Sequence, residues 1–165
     1  MKYVFSIVFL LTFVFSSNKE LFEVKENTSD KLVLTFKMQE YSISEKDNYS
    51  IISIPGSGTR SQIGEPNLPS LSSFIKLDKN YTYDISYTIK SQKEINDINI
   101  KPLQSFDNNQ VVNFKKNDLI YSSSSSFPSS NINESERFSM RGTEFINVDV
   151  TPFTYSPSTQ KLNII

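Results

Sequence analysis

A two-residue alternation of apolar and polar side chains is the feature that most restricts what this chain can fold into. It is clearest in residues 81–90, where apolar side chains take every odd position: Tyr81, Tyr83, Ile85, Tyr87 and Ile89. Successive side chains of a β-strand point to opposite faces, so the pattern is typical of a strand with one buried and one solvated face. No amphipathic helix, heptad or internal repeat competes with it. We therefore predict an all-β fold, an antiparallel β-sandwich, in which this row faces inward.

The same alternation predicts further strands and one hairpin. The predicted strands are residues 32–38, 49–54, 72–77, 81–90, 93–100 and 144–151, arranged in two packed sheets. Residues 21–25 are expected to pair with the first of them across a turn at residues 27–30. Residues 153–159 are expected to form a turn, and residues 161–165 begin one more strand, at which the sequence stops. We therefore expect the domain to be truncated at its C-terminal end.

Between Leu103 and Arg137 the alternation is lost, and residues 122–126 are five consecutive serines. Connections between elements are usually about 4–6 residues long, so a segment of this length is unusual in a folded domain. We predict that residues 104–136 are poorly regular and that residues 121–131 are the most mobile. Serine side chains bury too little apolar surface to offset the entropy of ordering the backbone.

The absence of cysteine and histidine excludes more functions than any motif asserts. Without them the chain can form no disulfide, thiolate nucleophile, imidazole base or Cys/His metal site. The net charge is −1, which gives no reason to expect a nucleic-acid partner. Only 37% of the residues are apolar, but 13% are aromatic, which favours a folded sheet over disorder. A carboxylate-only active site or a Ca²⁺ site stays compatible with the composition, but we predict no catalytic residue, no metal and no cofactor.

The first 17 residues have the layout of a secretory signal peptide. Met1-Lys2 supplies a basic start, residues 4–15 form an apolar run, and Ser16-Ser17 provides small residues for cleavage. The apolar run is shorter than the stretch of about 20 residues that spans a membrane. We expect residues 1–17 to be removed. Residues 18–165 are then a secreted or cell-surface β-sandwich domain with no stable membrane anchor.

A segment rich in turn-forming residues leads into the strand at residues 72–77. It reads Gly64-Glu65-Pro66-Asn67-Leu68-Pro69. Proline disfavours the helical region for the residue before it, so Glu65 and Leu68 are expected to be extended. The segment is therefore predicted to be a stiff lead-in to the sheet.

Three segments, in this order, resemble the propeptide of the gingipain-type cysteine peptidases. The first is residues 64–72, and the second is residues 100–102, followed by Tyr121 and Phe127-Pro128. The third begins at residues 140–142 and continues to residue 162, with Ser156 where the family usually has asparagine. The resemblance implies a structural role for these motif residues: Gly64, Pro66, Leu68, Pro69, Ser72, Arg141, Gly142, Pro152, Tyr155 and Pro157.

The resemblance implies a β-sandwich prodomain that precedes a caspase-like cysteine peptidase domain. Such prodomains cover the active site, keep the zymogen latent, assist folding and are cleaved off outside the cell, typically in Gram-negative bacteria. The expected partner is the cognate cysteine peptidase domain, downstream in the precursor or on another chain. Arg137 and Arg141 are the inhibitory-loop candidates. Arg137 ends the long irregular segment, whereas Arg141 precedes Gly142 and is expected to hold structure by pairing with a carboxylate.

Two other functions fit the residues. The tyrosine row of residues 81–87 could stack on sugars, which is typical of a carbohydrate-binding or adhesive β-sandwich of a bacterial surface protein. A small hydrolase built on aspartate and glutamate is the least favoured, because no acidic pair stands out from the polar strand faces. The downstream DNA discriminates between these functions. A peptidase with His-Gly and cysteine motifs favours the prodomain, and tandem sandwich repeats favour the adhesin.

Overall fold

Nearly all regular structure in the computed structural model is β-strand. The structure describes residues 21–28, 30–78, 82–107, 110–111 and 113–165. The strands are β1 (Phe22–Asn27), β2 (Leu32–Phe36), β3 (Ser42–Lys46), β4 (Tyr49–Ser53), β5 (Gly58–Thr59), β6 (Pro69–Leu77), β7 (Lys93–Ile95), β8 (Phe106–Asp107), β9 (Gln110–Val111), β10 (Ile132–Glu134), β11 (Phe138–Met140), β12 (Thr143–Val150), β13 (Phe153–Ser156) and β14 (Lys161–Ile164). A short helix α1 (Asp118–Tyr121) and a 3-10 turn (Pro157–Thr159) complete the elements.

The chain divides into two units, and the first contains the predicted hairpin of β1 and β2. The strands pair antiparallel with Phe22 opposite Phe36, whose rings meet edge to face at 6.1 Å between centroids. Thr28 and Lys31 close the turn through a backbone hydrogen bond of 2.9 Å. The prediction of this hairpin from alternation is confirmed.

The second unit, Met38–Ile165, contains the largest sheet, in the order β10-β12-β6-β5. β11 pairs with β12 as well, on the edge that β10 also uses, and all these pairings are antiparallel. Along β12, Ile146, Val148 and Val150 are at most 5% exposed and form its buried face. This face was predicted from the alternation of residues 144–151, and the prediction is confirmed.

The main core lies where β4, β13, β14 and the loop before β6 meet. β13, β14 and β7 form a three-stranded antiparallel sheet. β3 and β4 form a hairpin whose turn residues, Asp47 and Asn48, both have positive φ. The buried apolar cluster comprises Ile52, Ile54, Leu68, Ile98, Ile100, Phe153, Tyr155, Leu162 and Ile164. The predicted all-β antiparallel fold is confirmed, although the described strands are divided among more than the two sheets expected.

The predicted strand at residues 81–90 is wrong for the part that the structure describes. Residues 82–90 belong to no sheet, and Tyr81 lies outside the described residues. Ile85, Tyr87 and Ile89 are 39%, 45% and 47% exposed, so the row does not face inward together. Alternation reports which side chains share a face, whereas a strand also needs a partner backbone. No such partner pairs with residues 82–90 within the described residues.

Other predicted boundaries also shift. The strand predicted at residues 93–100 ends at Ile95, because Asp97 has a φ of 59° and turns the chain before Ile98. Residues 153–156, predicted as a turn, form β13. The described residues between 104 and 136 are irregular apart from β8, β9, α1 and β10, as predicted.

The predicted signal peptide, residues 1–17, lies outside the described residues. None of the described helices is long and apolar enough to cross a membrane.

Candidate functional site

The first two motif segments meet as neighbouring extended chains. Pro66 lies opposite Pro102 in an antiparallel bridge, and both prolines are fully buried. The Asn67 N–H donates to the Lys101 carbonyl at 3.0 Å, and the Leu103 N–H donates to the Glu65 carbonyl at 2.8 Å. Proline cannot donate, so the paired donors come from the residues beside each proline. The spacing of prolines in the sequence therefore reflects a backbone contact.

Gly64 joins this contact to the helix α1. Its N–H donates to the Leu103 carbonyl and its carbonyl accepts from the Asn117 N–H, both at 2.8 Å. Its φ is +93°, and a Cβ at this position would lie 3.3 Å from the backbone nitrogen of Asn117. Both the backbone conformation and the close approach require glycine.

Tyr121 and Tyr155 connect the second motif to the third. The Tyr121 hydroxyl donates to the Ile100 carbonyl at 2.7 Å, and its ring meets that of Tyr155 at 6.4 Å between centroids. Burial raises the pKa of both hydroxyls above the usual range. Phe127 exchanges two backbone hydrogen bonds of 2.7 Å with Tyr155. This pairing anchors the segment that contains the serine run, and the predicted mobility of residues 121–131 stays a prediction.

The remaining motif residues also support the framework. Leu68, Pro152 and Tyr155 are fully buried, Pro69 begins β6, and Pro157 begins the 3-10 turn. The Ser72 hydroxyl donates to the Asp149 carboxylate across the β6–β12 pair. The motif residues other than Arg141 and Gly142 therefore make contacts within the domain.

Arg137 lies just before β11, against the adjoining strand. Its Nη1 is 2.8 Å from Oε2 of Glu144, and its guanidinium lies 5.8 Å from the centroid of the Tyr83 ring. The Arg137 and Glu144 side chains are 30% and 26% exposed. Arg137 is therefore held against the sheet by a carboxylate and a ring.

Arg141 occupies the tip of the β11–β12 hairpin. It has a φ of 51° and is followed by Gly142 at 77°, so two successive residues with positive φ form the two-residue turn. Arg141 is exposed, and no ion pair of its side chain is found in the described part of the chain. The carboxylate partner that was expected for Arg141 is therefore found at Arg137. Arg141 lies exposed in the turn of the hairpin.

Sequence reasoning missed an exposed aromatic face on this hairpin and its neighbour. Phe138 lies 5.5 Å from Phe74 and 6.1 Å from Phe145 between ring centroids. Phe74 is 61% exposed and Met140 is 46% exposed. The even-numbered position of Phe74 within β6 is the sequence signal, because Leu71, Ile75 and Leu77 mark the opposite face. Apolar side chains exposed together mark a contact surface more often than isolated ones do.

One cleft lies in the same unit of the chain. A shallow cleft of about 210 Å³ lies between residues 60–68 and residues 127–133, and its polar side chains include those of Arg60, Glu65 and Asn133. Within the described residues, no group of three acidic side chains is placed to hold a metal ion.

Comparison with known proteins gives one family. The family model described as Propeptide_C25, the gingipain propeptide, matches residues 23–165. No curated protein sequence matches the chain.

Two solved structures from Porphyromonas gingivalis share the fold. A complex of the RgpB pro- and mature domains has a TM-score of 0.74 and 17% identity, covering 87% of this chain and 79% of that chain. A structure concerning the zymogenic latency of gingipain K has a TM-score of 0.70 and 16% identity, covering 87% of this chain and 85% of that chain. At these identities the similarity establishes the fold. With the family model matching most of the sequence, the chain belongs to the gingipain propeptide family.

Proposed function

We propose that this domain is the propeptide of a secreted gingipain-like cysteine endopeptidase. It keeps the catalytic domain of its precursor latent and assists the folding of that domain. The observation that carries the proposal is the family match over residues 23–165. The chain has no cysteine or histidine, so the nucleophile and base of a cysteine peptidase come from residues outside it.

Two similar structures support a peptidase domain as the partner. One is a complex of pro- and mature domains, and the other concerns zymogenic latency. Neither supports the alternative of a carbohydrate-binding or adhesive sandwich. Export through the signal peptide of residues 1–17 is part of the proposal.

The β11–β12 hairpin is the element that we expect to reach the peptidase cleft. Its tip carries the exposed Arg141, and its strands carry Phe138 and Phe145 of the aromatic face together with the exposed Met140. A two-residue turn held by β-pairing presents its side chains with little loss of conformational freedom on binding. Arg137 is already engaged by Glu144, so we assign it to the support of the hairpin.

Titration of residues 18–165 against the mature peptidase domain tests both assignments. The wild-type domain is expected to inhibit, and Arg141→Ala to weaken inhibition by about thirtyfold or more, which corresponds to about 2 kcal/mol for an anchor in a desolvated pocket. Arg137→Ala is the matched control, with a smaller effect on inhibition. Equal losses for the two variants would contradict the assignment of Arg141. No inhibition by the wild type at micromolar concentration would overturn the proposed function.

A further inference from the structure

Residues 82–90 combine the sequence of a strand with a backbone that pairs with nothing in the described residues. They contain neither a turn nor a bend, and no backbone hydrogen bond joins them to the rest of the described chain. Their apolar side chains are half exposed, with Ile85, Tyr87 and Ile89 between 39% and 47%. Within the described residues, the Tyr83 ring lies against the Arg137 guanidinium at one end of the segment.

Unpaired backbone groups and an exposed apolar row are unfavourable for a segment of this composition. Nine residues without proline or glycine, rich in tyrosine, isoleucine and threonine, have a high preference for strands. An unpaired strand edge with a flanking apolar row is a template for pairing with another chain. A partner that supplied a strand edge would satisfy the backbone groups and cover the row of Ile85, Tyr87 and Ile89 in one step.

We propose that residues 82–90 add as a β-strand to an open sheet edge of the cognate peptidase domain. Backbone hydrogen bonds would provide affinity, and pockets for the alternate side chains at Ile85, Tyr87 and Ile89 would provide specificity. The inference rests on the proposed function, because it names the surface through which the propeptide holds its enzyme.

The size of the contact favours the peptidase domain over a second copy of this chain. A stable interface between separate molecules buries about 1,200 Å² or more, which is beyond what one short strand from each copy supplies. A peptidase domain in the same precursor is tethered, so its effective concentration is on the order of millimolar. A contact of one strand can therefore persist in the precursor, and after cleavage it adds to the contact that the β11–β12 hairpin makes.

Proline substitutions at two neighbouring positions test the backbone pairing. Successive residues of a strand direct their N–H groups to opposite edges, so one of Ser86 and Tyr87 faces the partner. Ser86→Pro and Tyr87→Pro are compared with Ser86→Ala and Tyr87→Ala, because the difference within each pair isolates the N–H group. We expect the inhibition constant to rise at least tenfold from Ala to Pro at one position and less than about twofold at the other. The melting temperature of the isolated domain should be nearly the same in all four variants.

Amide exchange provides the second readout. In the isolated domain the amides of residues 82–90 should exchange fast, and in the complex alternate amides should be protected. If the wild type inhibits, an equal rise in the inhibition constant from Ala to Pro at both positions would overturn the inference. No rise at either position would overturn it as well. Protection of these amides in the isolated domain, or a dimer that Tyr87→Pro dissociates, would overturn it too. If the wild-type domain does not inhibit the peptidase, both the proposed function and this inference are overturned.

Discussion

At the scale of single residues, the hydroxyl of Tyr121 ties two separate motif segments together. It donates to the Ile100 carbonyl at 2.7 Å. Tyr121→Phe removes this hydrogen bond and leaves a buried carbonyl without it, so we expect the free energy of unfolding to fall by about 1 kcal/mol. Urea denaturation at pH 7 measures the loss. Tyr87→Phe, at an exposed tyrosine, should change stability by less than about 0.5 kcal/mol.

The same hydroxyl predicts an alkaline loss of stability. Burial raises the pKa of Tyr121 in the folded state above its unfolded value near 10. The stabilisation by the neutral hydroxyl is therefore complete below pH 10 and is lost as the pH rises beyond it. Denaturation between pH 8 and 11 should show a fall in unfolding free energy that is smaller in Tyr121→Phe. An identical fall in both proteins would assign the effect to other groups, among them Tyr155.

Gly64 gives the second prediction at the residue scale. Gly64→Ala forces a side chain into a φ of +93° and places its Cβ 3.3 Å from the Asn117 nitrogen. We expect a loss of about 1–3 kcal/mol in unfolding free energy. Gly58→Ala is the matched control, because its φ is ordinary and a Cβ there would meet no atom within 4 Å. Equal effects of the two substitutions on the melting temperature would contradict this role for Gly64.

At the scale of elements, the β11–β12 hairpin separates a supporting arginine from a presented one. Arg137→Ala removes a partly exposed ion pair with Glu144 and should cost no more than about 1 kcal/mol of stability. Arg141→Ala removes an exposed side chain from the turn and should leave the melting temperature within about one degree. Thermal unfolding followed by circular dichroism measures both. A larger loss for Arg141→Ala than for Arg137→Ala would place the structural role at Arg141, as the sequence alone suggested.

Alternation predicted those strands whose partner strands also alternate clearly between apolar and polar side chains. β2, β6 and β12 were found because each has one apolar face, and the lead-in of Pro66 and Pro69 was found because proline restricts its neighbours. β13 was read as a turn because Pro152 and Pro157 flank it, although Phe153 and Tyr155 alternate. The strand predicted over residues 82–90 is wrong because alternation within one segment does not show whether another backbone lies beside it.

The candidate site was predictable only in part. Both arginines could be chosen from the sequence as basic residues near the end of an irregular segment. Their different surroundings depend on the register of the β11–β12 hairpin, which places Glu144 within reach of Arg137 and leaves Arg141 in the turn. The aromatic face of Phe74, Phe138 and Phe145 forms only because β6, distant in sequence, pairs with β12 of the β11–β12 hairpin.

At the scale of the whole molecule, most of the family motif residues pack within the domain. Segments 64–72, 100–103 and 152–157 contact one another in and around the core. The hairpin tip at Arg141, the aromatic face and the segment 82–90 are among the exposed features of the described residues. We therefore expect substitutions in these three segments to lower stability first, and substitutions in the exposed features to lower inhibition without unfolding the domain.

The activity of the intact precursor tests the proposed latency most directly. The precursor and the mature peptidase are assayed on the same peptide substrate, and the isolated residues 18–165 are then added back to the mature enzyme. We predict a precursor that is nearly silent, activity that appears when the propeptide is cleaved and separated, and renewed inhibition when it is added back. A precursor as active as the mature enzyme, with no effect of added propeptide, would contradict the proposed function.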